Sequence, residues 1–99
     1  MSLGNRSSIT TGEKTVAVAD GAHAVQLPDV EVPEGYEATV TAKHLNDGRI
    51  YLGGTKAEAE AHTISLGPDD VFTEYPTNLN AIWIDADNDG EGIDYEVPQ

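Results

Sequence analysis

Short runs in which apolar and polar residues alternate at every second position dominate the chain from Lys14 onward, the pattern of half-buried β-strands. Val16 and Val18 alternate with Ala17 and Ala19. Asp20-Gly21 then marks a hairpin turn, and residues 22–27 read as the return strand with Val25 and Leu27 on one face. Pro28 and Pro33 bracket an acidic connection. The longest alternation covers residues 36–44. It sends Tyr36, Ala38, Val40 and Ala42 inward and Glu37, Thr39, Thr41 and Lys43 outward. Asn46-Asp47-Gly48 is a turn before a strand over residues 49–52. Further strands are expected over residues 63–66, 71–75, 81–86 and 93–97, each set off by turn residues.

Residues 53–62 are the ambiguous stretch. Their second half favours helix by propensity but is too short to stand alone, so it reads as a loop holding one helical turn at most. About eight short strands, with turns at regular intervals and no internal repeat, predict an all-β fold. The expected architecture is a compact antiparallel sandwich or jelly-roll, one domain over residues 14–99. Residues 1–13 are rich in Ser, Thr, Gly and Asn without any period and read as a flexible, irregular N-terminal arm.

Composition makes that core thin. Ile, Leu, Val and Phe number 21 of the 99 residues, just above the ~20% below which a highly charged chain is usually disordered. Charge changes the picture more. Eighteen acidic residues face five basic ones, a formal net charge of −13, where small domains usually carry a magnitude of ~2–8. Charge of this sign repels phosphates and anionic headgroups, which argues against nucleic acid and membrane partners. It also opposes compaction unless salt screens it. Many carboxylates, only three lysines and a core of small residues resemble proteins adapted to molar salt; an acidic mesophilic domain is the alternative. The lack of cysteine excludes a disulfide framework, a thiol nucleophile and thiolate metal sites. No apolar run approaches the ~20 residues of a membrane-spanning helix, and the N-terminal residues lack the apolar region of a signal peptide.

Candidate chemistry is sparse. Asp85, Asp87, Asp89, Gly90, Glu91 and Glu96 fit the spacing D-x-D-x-D-G-x5-E, in which alternate carboxylates and a turning glycine converge on one Ca²⁺. The flanks alternate like strands instead of forming the two helices of an EF-hand, so a solvated hairpin turn is the favoured reading and no cofactor is required. His23, His44 and His62 are scattered without ligand spacing and read as strand-end residues with their tips in water. No nucleophile elbow, phosphate loop or zinc-hydrolase motif is present, which argues against an enzyme. Tyr51 and Trp83 lie on the faces opposite Ile50 and Leu52, and Ile82 and Ile84. They are outward aromatic anchors for an interface if those aliphatic residues form the core.

Four segments in order carry a resemblance: Arg49-Ile50-Tyr51-Leu52-Gly53-Gly54, Ile64-Ser65-Leu66-Gly67-Pro68-Asp69-Asp70-Val71, Asn80-Ala81-Ile82-Trp83-Ile84-Asp85-Ala86, and the closing run from Gly90 to Tyr95. This order resembles small β-sandwich virion proteins of tailed phages, with a G-x-I-Y-V-G strand, an L-x-P-G-E-x-V turn and a closing hairpin. It covers roughly residues 36–97. Leu52 stands where that pattern has Val, Trp83 where it has Tyr, and Gly67-Pro68-Asp69-Asp70 replaces its Pro-Gly-Glu order.

The resemblance implies a structural role without catalytic residues, and it makes the Asp-rich stretch a turn. Joined to the acidic surface, it implies a tailed virus of a halophilic archaeal host. The expected function is a non-enzymatic capsid decoration or cementing protein located in the virion. Its partners would be the major capsid protein or other virion proteins. Alternatives are a tail, connector or fibre-associated module, or a carbohydrate-binding sandwich. A homo-oligomer is expected. Its contacts are the arm, through Leu3, Arg6 and Ile9, and the face bearing Tyr51 and Trp83.

Overall fold

The computed structural model describes residues 8–18 and 23–99. Eight strands run in chain order: β1 (Ile9–Thr15), β2 (Val25–Gln26), β3 (Ala38–Ala42), β4 (Ile50–Gly53), β5 (Ile64–Leu66), β6 (Val71–Glu74), β7 (Trp83–Ala86) and β8 (Gly92–Pro98). A five-residue helix, α1 (Lys56–Glu60), lies between β4 and β5. The strands form two four-stranded sheets, ordered β1-β8-β3-β6 and β2-β7-β4-β5. Every pairing between them is antiparallel.

This order is a nested one. β4 pairs with β5, β3 with β6, β2 with β7 and β1 with β8, so the chain is a long doubled ribbon wrapped into two layers. That is the jelly-roll form of the expected sandwich. The period-two alternation places the core. Ala38, Val40 and Ala42 of β3, Ile50 and Leu52 of β4, Ile84 of β7 and Ile93 and Val97 of β8 are buried between the layers. Removing each larger aliphatic side chain from water stabilises the fold by about 1.5–3 kcal/mol. No buried side-chain nitrogen or oxygen among the described residues lacks a hydrogen-bond partner.

The N-terminal region departs from the sequence reading. The arm expected over residues 1–13 is, from Ile9 onward, strand β1, in register with β8 from Ile9↔Pro98 to Thr15↔Gly92. Its sequence, ITTGEKT, has no apolar period because β1 is an edge strand held by backbone bonding. Residues 1–7, with Leu3 and Arg6, lie outside the described residues. Among the described residues of the expected hairpin over 16–27, no pairing between its two halves forms either. β1 and β2 belong to different sheets, and Val16 is a buried residue beyond β1 whose N–H donates to the Glu91 carbonyl at 2.9 Å. The Asp20-Gly21 turn itself lies outside the described residues.

Two close approaches fix the end of the molecule where β7 hands over to β8. At Gly92 an added Cβ would overlap the backbone of Lys14 and Thr15, so only glycine lets β1 lie this near β8. Beside it, buried Asn46 donates to the Gly92 carbonyl at 2.9 Å and accepts from the Gly92 N–H at 3.3 Å, tying the β3–β4 turn to the same point.

Candidate functional site

The richest side-chain chemistry lies on the outer face of the β2-β7-β4-β5 sheet. Register puts Ser65, Tyr51 and Asp85 side by side across β5, β4 and β7, with Trp83 one step along β7, opposite Gly53 and Gln26. Helix α1 lies on this face. Thr55 caps it, its hydroxyl accepting from the Glu58 N–H at 3.2 Å. Gly53 permits the approach, since a side chain there would overlap the backbone of Glu58 and Ala59. Ala59 is fully buried beneath the helix.

Just after the helix His62 takes a left-handed backbone conformation (φ 57°). Its ring stacks on Tyr51 with centroids 3.7 Å apart. Nε2 of His62 is 2.8 Å from Oδ2 of Asp85, a carboxylate whose side chain is only 2% exposed and which also accepts from the Ala86 N–H. The Tyr51 hydroxyl donates to Asp87 at 2.7 Å, and the Arg49 N–H donates to the other oxygen of Asp87 at 2.9 Å. These two donors hold the Asp87 carboxyl below its ordinary value, the backbone bond contributing most. The same contact pushes the Tyr51 phenol up. Arg49 Nε completes the row with a 2.8 Å bond to the Ser65 hydroxyl.

A histidine oriented by a buried carboxylate is half of a general-base pair. Here the ring face is covered by Tyr51, and Ser65 is engaged by Arg49. The arrangement fastens α1 and the β4–β7 pair to each other. It was invisible in the alternation, since His62 reads as an isolated polar residue. The one local signal was Thr55 followed three residues later by Glu58, a capping box for a short helix. His44 likewise pairs with Asp69, at 2.7 Å. Tyr51 and Trp83 do lie on the outer face, as expected once Ile50, Leu52, Ile82 and Ile84 are buried, but both are half-buried beside α1.

The EF-hand spacing does not produce an EF-hand geometry among the described residues. Asp85 turns inward to His62, and Asp87 bonds Arg49 and Tyr51. Asp89 accepts from the Val18 N–H at 3.0 Å. Glu91 accepts from the N–H groups of Asp47 and Gly48 and from Asn88, and the Asp47 bond does most to hold its carboxyl below the ordinary value. Glu96 sits on the other sheet, opposite Thr11 and Thr39. The carboxylates diverge because Asp85, Asp87, Asp89 and Glu91 bond different segments of the chain, while Glu96 lies in the other sheet. Among the described residues no cluster of three or more His, Asp or Glu is gathered for a metal ion.

A second region is apolar. On the side where β5 and β6 form the free edges of their sheets, the two layers leave a 240 Å³ cavity walled by Leu52, Ile64, Phe72, Pro76 and Ile82. Glu74 is its only charged lining residue. A shallower 600 Å³ concavity adjoins it at Pro76, lined by Pro33, Tyr36 and Tyr75 with Glu31 and Glu34. Ile64, Val71 and Tyr75 are exposed here by 49, 57 and 66%. Of the expected arm contacts, Ile9 is 60% exposed at the start of β1. No helix among the described residues is long and apolar enough to cross a membrane. Set against family models, curated proteins and solved structures, the chain matches none of them.

Proposed function

We propose that this chain is a non-enzymatic structural protein of a virion, one that decorates or cements the capsid of a tailed virus with a halophilic archaeal host. The observation that carries the reading is the nested strand order β1-β8-β3-β6 and β2-β7-β4-β5. Jelly-rolls of this kind build viral capsid and lectin domains. Fold alone does not assign function, but here it agrees with the resemblance read from sequence, whose segments fall on β4, the β5–β6 corner, β7 and the start of β8. The filling between the layers also suits a structural role, since the inner positions of β3, β4 and β8 carry aliphatic side chains and Tyr95 but no carboxylate, amine, guanidinium or imidazole. The partners are the major capsid protein or other virion proteins, met as a homo-oligomer. A tail, connector or fibre-associated position is the second form of the same reading.

Purification of virions that encode the chain tests this. Stoichiometric copurification with the capsid protein through density gradients in molar salt is the expected result. Recovery of the chain only in the unassembled fraction overturns the proposal. A glycan array separates the lectin alternative: binding that is lost on Trp83→Ala would replace the capsid reading.

A further inference from the structure

We propose that the paired concavities beside β5 and β6 receive residues 1–7 of a second copy of this chain, with Leu3 in the apolar cavity and Arg6 against its glutamates. The contact rests on the assembly reading above and supplies its surface. The face first expected to serve, around Tyr51 and Trp83, is occupied by α1 and its hydrogen bonds. Among the described residues no helix lies over the β5–β6 side in this way. Its walls are aliphatic and aromatic, and its charged lining residues are all carboxylates: Glu74 in the smaller cavity, Glu31 and Glu34 in the larger. None of the three forms an ion pair among the described residues, although Glu74 accepts from the Tyr75 N–H. Glu74 sits at the register position opposite Ala38, on the core-facing side of an edge strand. A carboxylate there discourages indiscriminate strand addition and selects a cationic visitor.

The chain itself contains the matching piece. Residues 1–12 are its longest stretch without a carboxylate, and they carry Leu3, Arg6 and no other charged residue. A long cationic side chain can lay its aliphatic stem on Leu52, Ile64 and Phe72 while its head meets Glu74. Geometry also agrees. β1 begins at Ile9 opposite Pro98, at the end of the sheet where β6 finishes on Glu74. Residues 1–7 therefore join the described fold at that end. Seven residues reach about 24 Å when extended, comparable with the 25 and 19 Å shorter dimensions of the molecule. That is enough to cross onto a neighbour. The exchange is reciprocal in a closed dimer or head-to-tail in a ring.

Sedimentation of the full chain over a concentration series tests the contact, at about 0.3 M NaCl where the Debye length is about 6 Å. The variants are Arg6→Glu, Glu74→Arg, the two together, and Leu3→Ser, with thermal melts to show that each folds. The wild-type chain is expected to self-associate. Each single variant should weaken association by about tenfold, and the charge-reversed pair should recover most of it. A monomeric wild-type chain, single variants that associate normally, or a double variant no better than the singles would each overturn the contact. Because no capsid is present, this failure is distinct from failure to copurify with virions.

Discussion

The corner between β7 and β8 and the open side along β5 and β6 use the same side chains to opposite ends. At the corner Asp85, Asp87, Asp89 and Glu91 each accept hydrogen bonds from named partners, chiefly backbone N–H groups of neighbouring segments. On the open side Glu31, Glu34 and Glu74 stand around apolar walls, their side chains holding a single bond among the described residues, from the Tyr75 N–H to Glu74. A carboxylate that closes several backbone donors fixes a loop, whereas one set on an apolar rim leaves its charge to act on something outside the fold. Acidity in this protein thus has two physical roles, and position decides between them.

The contrast is broken most severely at Gly92. Gly92→Ala forces a methyl group into the backbone of Lys14 and Thr15 and disturbs both Asn46 bonds. A loss of about 3 kcal/mol is expected, read as an earlier urea midpoint. An unchanged midpoint would mean that β1 is not seated against β8 as described.

Acid should act next, at the corner. The carboxyls of Asp87 and Glu91 are held below their ordinary values by hydrogen bonding. Their contribution is therefore complete above the unfolded carboxylate range near ~4 and is lost as pH falls through the lower folded values. Thermal melts from pH 6 down to pH 2 should show this loss, and Asp87→Asn should flatten it. A wild-type profile as flat as the variant's would contradict these bonds.

The smallest effect is expected on the open side. Ile64→Ser removes an exposed apolar group from an edge strand and should change stability by no more than about 0.5 kcal/mol. A melt lowered by several degrees would show that Ile64 belongs to the core and that the cavity is not a surface.

The alternation of residues 36–44 was enough to place β3 and its buried face, because a strand covered on one side must alternate, whereas that of residues 50–52 placed β4 but not which of its faces is buried. It failed at β1, where Thr10, Gly12 and Lys14 occupy the register positions opposite Val97, Tyr95 and Ile93. An edge strand needs backbone pairing more than apolar side chains, so nothing in ITTGEKT announces it, while Val16 and Val18 suggest a strand that is not there. The His62–Asp85–Tyr51 arrangement was unreadable for another reason. It joins three elements that come together only when α1 settles on Gly53, and pairwise proximity of that kind leaves no local period.

The nested pairing also constrains how the chain reaches its final form. β4 and β5 are close in sequence and can meet early, but β1 must wait for β8, the last of the described strands to be made, which lies between β1 and β3. Loop closure over nearly the whole length is entropically costly and slows such folds. During synthesis β1 therefore emerges long before β8, its in-sheet neighbour among the described residues, exists. A chain not yet extended to residue 92 would hold one sheet largely assembled and the other missing its second strand, so the arrival of β8, and not that of the strands before it, is the event that commits these residues to their fold.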